Sequence, residues 1–137
     1  MATFFAPHLY LKAVADGIAF YQAAFGAFER RRWSNPDGSV HVAEMAIHGA
    51  LFHLHEERAE AAQLSPQTLG ATSAQVGLFD DDPDRLFASA VDAGARVVSP
   101  MQDYDYGYRQ GVVADPFGHQ WLLQKAIHSP RPDGQTS

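Results

Sequence analysis

The fold is decided by residues 14–27, Val14-Ala-Asp-Gly-Ile-Ala-Phe-Tyr-Gln-Ala-Ala-Phe-Gly-Ala27, and by their counterpart, Asp82-Pro-Asp-Arg-Leu-Phe-Ala-Ser-Ala-Val-Asp-Ala-Gly-Ala95. The two stretches align without a gap, and Gly26 falls on Gly94. Each has apolar residues at helical spacing, an acidic residue in the first turn and a terminal glycine that favours a helix end. Two equivalent helices, at 14–25 and 82–93, are therefore predicted, and with them an internal repeat.

Strand patterns flank both helices in the same order. In the first half they cover residues 5–12, 28–33, 40–47 and 50–55, and in the second half residues 75–79, 96–100, 111–114 and 120–125. The order strand–helix–strand–strand–strand therefore occurs twice, which predicts an α+β domain of two βαβββ halves. We predict one domain over residues 1–128, with halves at 5–56 and 74–127 and a linker at 57–73. The polar tail, residues 129–137, is predicted to be disordered.

Composition excludes several classes of protein. The chain has 137 residues, of which 46% are hydrophobic and 19% charged, as is typical of a globular domain. Its net charge of -6 would repel nucleic acid and anionic membrane surfaces. No apolar run could span a bilayer and no signal peptide is recognised, so we expect a cytoplasmic protein with no nucleic-acid or membrane partner. Seven histidines and no cysteine leave only imidazole or carboxylate metal sites possible.

Several segments carry a family resemblance: Leu9-Tyr-Leu-Lys12 leading into Ile18-Ala-Phe-Tyr21, Ala43-Glu-Met45, Ser65-Pro-Gln-Thr-Leu-Gly70, and Gly107-Tyr-Arg-Gln-Gly111 followed by Asp115-Pro-Phe-Gly-His-Gln-Trp121. Through them the chain resembles the glyoxalase/bleomycin-resistance/dioxygenase (vicinal oxygen chelate) superfamily, and within it a PhnB-like member. The resemblance implies that the two halves form a half-open cup for a small molecule. It implies a function only broadly, because this fold hosts isomerases, dioxygenases, antibiotic-modifying enzymes and pure binders.

The resemblance also implies where a metal ion would bind. Metal-dependent members place His or Glu on the first and last strand of each half, which corresponds here to Ala6, His53, Gln75 and Leu122. Only His53 is a normal ligand, so we predict that the standard site is lost and that no metal cofactor is bound. One alternative stays open, because strand periodicity places His8, Glu44 and His53 on one side of the sheet, where they could hold a divalent ion such as Zn, Ni, Mn or Fe.

The same periodicity predicts which side chains line the cup. The lining is apolar and aromatic with few polar groups, as in pockets for organic ligands. Three tyrosines offer flat surfaces for a planar ligand, although a dimer interface uses the same residue type, and Arg109 could pair with a ligand carboxylate or phosphate. The predicted ligand-binding residues are His8, Tyr10, Trp33, His53, Gln75, Phe79, Tyr104, Tyr106, Tyr108, Arg109 and Leu122.

Two functional hypotheses follow. The first, which the lost ligand positions favour, is metal-free binding of an apolar or aromatic compound, as in the antibiotic-sequestering members of the family. The second is a glyoxalase- or dioxygenase-like enzyme, a lyase or isomerase, with the shifted metal site or with Glu44 as a general acid or base. Burial of Glu44 would raise the pKa of its carboxyl and hold a proton ready for transfer. In either case we predict a homodimer, since family members pair so that sheet edges and cup mouths are covered.

Overall fold

The computed structural model describes residues 2–128 and contains two matching four-stranded sheets. The first half consists of β1 (His8–Leu11), α1 (Val14–Phe25), β2 (Phe28–Ser34), β3 (Val40–Ile47) and β4 (Ala50–Glu56). A 3-10 turn (Ala59–Ala61) and the short helix α2 (Pro66–Leu69) follow within the predicted linker. The second half consists of β5 (Gln75–Phe79), α3 (Pro83–Ala93), β6 (Arg96–Tyr104), β7 (Tyr108–Ala114) and β8 (Gln120–Ala126).

The strand order is the same in both sheets, β1-β4-β3-β2 and β5-β8-β7-β6. In each sheet the first and last strands are parallel neighbours and the remaining pairs are antiparallel. The predicted α+β fold of two βαβββ halves is therefore confirmed. The predicted disordered tail, residues 129–137, lies outside the described residues. No helix among residues 2–128 is long and apolar enough to cross a membrane.

The helices begin and end where the repeat predicts. The α1 helix ends at Gly26, whose φ of 65° is in the left-handed region that glycine tolerates best. The α3 helix begins after Asp82, whose carboxylate accepts a hydrogen bond from the backbone N–H of Arg85, and it has Pro83 in its first turn. Local sequence thus fixes both helices before any tertiary contact is considered.

Residues 104–109, which lie between the predicted strands at 96–100 and 111–114, belong to a β-hairpin. Strand β6 continues past Pro100 to Tyr104, and β7 begins at Tyr108, so that only a short turn separates them. The predicted strand ended at Pro100, a residue that donates no backbone hydrogen bond. It is accommodated because β6 is an edge strand with irregular pairing between Ser99 and Gln102.

One hydrophobic core joins the two halves. Helix α1 packs against α3. The ring centroid of Trp121 on β8 lies 4.8 Å from that of Phe25 on α1 and 5.7 Å from that of Phe52 on β4. Because Phe52 and Trp121 belong to different sheets, both sheets turn one face toward the same core. Their other faces, which carry the predicted cup residues, are turned away from it.

Two polar contacts also connect the halves. The buried carboxylate of Asp115 accepts hydrogen bonds from the hydroxyl of Tyr21 on α1 and from Nε1 of Trp121, the latter at 3.0 Å. Burial, and then the charge of Asp115, raise the pKa of Tyr21 well above its ordinary value. His119 Nε2 lies 2.9 Å from the carbonyl oxygen of Tyr10, which gives this histidine a structural role. These contacts fix the position of β8 relative to the first half.

Candidate functional site

The outer face of the first sheet carries a group of three histidines. The parallel register of β1 and β4 places His8 beside His53, while His55 follows two residues later on the same face. One ring nitrogen from each residue lies within 4.8 Å of the other two, and Nδ1 of His8 is 2.9 Å from Nε2 of His55. We call His8, His53 and His55 the histidine cluster. The metal set predicted from the sequence contained His8 and His53 but not His55. The alternation of side chains along a strand was the signal that could have found His55, two residues after His53.

Burial and crowding lower the pKa of two imidazoles of the cluster. Burial lowers the pKa of His8, and the neighbouring His53 lowers it further. Burial also lowers the pKa of His55, with smaller contributions from His8, His53 and His41. Both shifts have the same two causes, because burial disfavours the cationic ring and the neighbouring rings add repulsion. The lowered pKa values favour the neutral forms of His8 and His55, each of which keeps a lone pair on one ring nitrogen.

Glu44, the predicted acid or base, lies beside the cluster but is paired elsewhere. It is opposite His53 in the register of β3 and β4, and its side chain is 17% exposed. Its Oε2 lies 3.0 Å from Nε of Arg30 on β2, so the carboxylate pairs with Arg30. The three side chains whose possible ligand atoms lie close together are those of His8, His53 and His55. Glu44, which the sequence predicted as the third ligand, is not among them.

Two predicted binding residues flank this surface. The ring of Tyr10 lies 5.3 Å from that of His55, which extends the aromatic surface along β1 and β4. Trp33 on β2 is 41% exposed, and the guanidinium carbon of Arg31 lies 4.6 Å from its ring centroid. This cation–π contact lies over one face of the indole.

The remaining predicted residues form a second surface on the second sheet. Phe79 is 63% exposed and its ring lies 6.2 Å from that of Tyr108, while Tyr104 and Tyr106 stack with centroids 5.3 Å apart. Leu122 is half-buried on β8, and Gln75 donates a hydrogen bond of 3.0 Å to the side chain of Gln120. Within residues 2–128, this surface shares no side-chain hydrogen bond or ring contact with the histidine cluster.

Arg109 is engaged by carboxylates of its own half. Its guanidinium lies 2.6 Å from Asp84 at the start of α3 and 3.0 Å from Asp103 on β6. These two partners raise the pKa of Arg109, and the hydrogen bond from Arg109 lowers the pKa of Asp84. Arg109 therefore anchors the β6–β7 hairpin to α3.

An apolar pocket of about 630 Å³ opens between the halves. It is bordered by the segment before β1, the start of β4, strand β5 and Trp121. None of the residues predicted to bind a ligand lines it. Sequence periodicity missed the pocket because it forms where two halves meet, and a periodic pattern describes only the faces of single strands. The lining residues are Phe4, Phe5, Pro7, Ile47, Gly49, Ala50, Leu51, Phe52, Val76, Gly77, Leu78 and Trp121.

Two βαβββ modules of identical strand order, with their helices packed in a common core, define this chain as a protein of the vicinal-oxygen-chelate class. The sequence model of the Glyoxalase/Bleomycin resistance protein/Dioxygenase superfamily matches residues 5–123. The chain belongs to this superfamily, which confirms the resemblance found in the sequence.

Relatives and solved structures agree with this assignment. An uncharacterised protein of Mycobacterium bovis is 37% identical over 130 residues, which cover 93% of this chain and 86% of the relative. The structure of a gene product from Arabidopsis thaliana is 29% identical, covers 92% of this chain and 99% of its own, and has a TM-score of 0.69.

Two further solved structures are similar in fold. TioX from Micromonospora sp. ML1 is 22% identical, covers 92% of this chain and 100% of its own, and has a TM-score of 0.71. FosX, a fosfomycin resistance protein from Listeria monocytogenes, is 16% identical, with a TM-score of 0.64. The match covers 94% of this chain and 92% of FosX. At these identities the likeness shows the fold alone.

Proposed function

We propose that this chain binds an apolar or aromatic small molecule without a metal cofactor. The observation that carries this proposal is the apolar pocket between the halves, whose volume of about 630 Å³ suits a compact organic ligand. Its lining combines the aromatic rings of Phe4, Phe5 and Trp121 with aliphatic side chains of β4 and β5. Burial of apolar ligand surface against these side chains would provide the driving force. No lining side chain carries a charge, so the pocket favours an uncharged ligand.

Binding of the uncharged dye Nile red, measured by its fluorescence, tests this pocket in the presence of chelator. Ala50 is an exposed residue that lines the pocket, so Ala50→Trp places an indole where the ligand would lie. We expect the affinity for the dye to fall by about tenfold or more, equivalent to about 1.4 kcal/mol. The matched control is Ala88→Trp on the exposed face of α3, outside the pocket, which should leave the affinity unchanged. Equal binding by both variants, or binding that chelator abolishes, contradicts the proposal.

We also propose that the chain forms a homodimer. Strands β1 and β5 are edge strands, and large apolar side chains are exposed, including Phe5 at 96%, Phe28 at 68% and Phe79 at 63%. Exposed apolar side chains and unpaired strand edges both favour association. Light scattering after size exclusion should give a mass near twice 15.0 kDa, and a species of 15.0 kDa would contradict the proposal.

A second candidate function is that of a glyoxalase- or dioxygenase-like enzyme in which Glu44 transfers a proton. Its support is the position of Glu44, largely shielded from solvent and opposite His53, which places a carboxylate beside the imidazoles. Consumption of methylglyoxal in the presence of a thiol would test it. If Glu44→Gln lowers turnover while leaving the Michaelis constant unchanged, the enzyme is favoured. Absence of turnover by the unmodified chain in this assay counts against it. The PhnB-like subgroup and the cytoplasmic location stay predictions from the sequence.

A further inference from the structure

We propose that a polar pocket between helices α1 and α3 binds a small zwitterion that carries an ammonium and a carboxylate group, as a free α-amino acid does. The pocket has a volume of about 270 Å³. It is bordered by the last turn of α1, the β3–β4 turn, the segment between β5 and α3, and the first turns of α3. The site goes beyond the proposed function, because it shares no lining residue with the apolar pocket.

Contacts between the two halves hold the walls of this polar pocket together. Ser89 on α3 donates a hydrogen bond of 3.1 Å to the carbonyl oxygen of Ala23 on α1. Nδ1 of His48, in the β3–β4 turn, lies 2.9 Å from Oδ1 of Asp80, which follows β5. Oδ2 of Asp80 accepts a hydrogen bond of 2.9 Å from the backbone N–H of Asp82. Because these contacts connect the surrounding elements directly, the pocket is formed before a ligand binds.

The start of α3 supplies two side chains of opposite charge. Asp82 and Arg85 are both exposed and both line the pocket. Oδ1 of Asp82 accepts a hydrogen bond from the backbone N–H of Arg85, which leaves Oδ2 available. Among the ion pairs formed within residues 2–128, none involves either side chain. A carboxylate oxygen and a guanidinium are therefore both available to a ligand in this pocket.

The charges around the pocket indicate the class of ligand. Helix α1 ends here at Phe25, and its last turn has no basic residue to offset the negative end of the helix dipole. This helix end and Asp82 favour a ligand ammonium, while Arg85 can donate two parallel hydrogen bonds to a ligand carboxylate. A simple anion would be repelled by Asp82 and a simple cation by Arg85. A zwitterion complements both charges at once.

The size of the pocket limits the rest of the ligand. Its volume of about 270 Å³ is less than half that of the apolar pocket, at about 630 Å³. Ala24 on α1 and Leu86 on α3 are buried residues that border it, so the wall between the charged groups is apolar. A short aliphatic side chain can pack there. L-Alanine, which combines both charged groups with one methyl group, is therefore the probe.

The test is a nuclear magnetic resonance titration of the full, ¹⁵N-labelled chain with L-alanine, propionate or ethylamine. Propionate lacks the ammonium of L-alanine, and ethylamine lacks its carboxylate. We expect L-alanine to shift the backbone amide signals of Gly26, Arg85 and Ser89, which line the pocket, in a saturable way. Each of the other two compounds should bind about tenfold or more weakly, because it loses one charge-assisted contact.

Variants assign the two charged contacts. Arg85→Gln and Asp82→Asn should each lower the affinity for L-alanine by about tenfold or more. Asparagine still caps a helix well, so α3 should begin as before in Asp82→Asn, and circular dichroism of each variant verifies its fold. The matched controls are Arg96→Gln and Asp92→Asn, two exposed residues outside the pocket, and they should leave the affinity unchanged.

The paired design separates specific binding from the effect of overall charge. Arg85→Gln and Asp82→Asn change the net charge in opposite directions, so a loss of affinity in both cannot come from the net charge. Loss in only one of them, or equal affinity for propionate or ethylamine, would overturn the assignment of a zwitterion. Absence of a saturable shift with L-alanine would overturn the site itself. Dye binding at the apolar pocket is measured without L-alanine, so the two proposals can fail independently.

Discussion

Removal of the Tyr21 hydroxyl should weaken the contact between the two halves without disturbing the packing around it. Tyr21 is 0% exposed and its hydroxyl donates to Asp115, which is 5% exposed. In Tyr21→Phe the ring keeps its neighbours, among them Phe52 at 5.5 Å and Trp121 at 5.3 Å between centroids. The substitution therefore isolates one buried hydrogen bond to a carboxylate.

The expected loss follows from the nature of that bond. A hydrogen bond to a charged group contributes about 1.5–3 kcal/mol, and the buried position prevents water from replacing the lost donor. Asp115 retains Nε1 of Trp121 and two backbone amides as donors, so its carboxylate is not left unpaired. We expect the free energy of unfolding to fall by about 1.5–3 kcal/mol, which for a domain of this size lowers Tm by roughly 5–12 °C.

Urea unfolding monitored by tryptophan fluorescence measures this loss, because Trp121 lies in the core beside Tyr21. The matched control is Tyr10→Phe, whose hydroxyl has no side-chain or backbone partner within residues 2–128, and it should change the unfolding free energy by less than about 0.5 kcal/mol. A Tyr21→Phe variant as stable as this control would refute the reasoning that the Tyr21–Asp115 bond stabilises the contact between the halves.

Two further predictions concern backbone packing and pH. In Gly111→Ala the new Cβ would lie 2.7 Å from Sδ and 3.0 Å from the backbone nitrogen of Met101, so we expect a loss of about 1–3 kcal/mol in urea unfolding. In Gly77→Ala the new Cβ would lie 3.1 Å from Nε2 at the end of the Gln124 side chain, which can move, so the loss of unfolding free energy should be smaller. Equal losses in the two variants would contradict the prediction. Folding lowers the pKa of His8 and His55, so the unfolded chain binds more protons and stability is lost as the pH falls below about 6.5. Replacing both by glutamine should reduce the stability difference between pH 7.5 and 5.5 in the same assay, and an unchanged difference would exclude these histidines as its source.

The sequence by itself determined the fold and the two helices. Helix bounds follow from local features, such as apolar spacing, a first-turn acidic residue and the glycines Gly26 and Gly94, and these act within a few residues of one another. The repetition of strand–helix–strand–strand–strand then limits the topology. Strand periodicity also placed His8 and His53 on one face, because side-chain direction alternates with the backbone. These properties depend on neighbours in the chain, which is why they can be read from sequence alone.

Only the tertiary structure decided which of these side chains meet. The pairing of Glu44 with Arg30, the carboxylate partners of Arg109 and the addition of His55 to the cluster depend on register and side-chain reach across strands. The apolar pocket depends on how the two halves pack, since its lining comes from segments far apart in sequence. A periodic pattern gives the direction of a side chain but not the residue that will oppose it. Within each half the strand register makes that choice, and between the halves it is made by their packing.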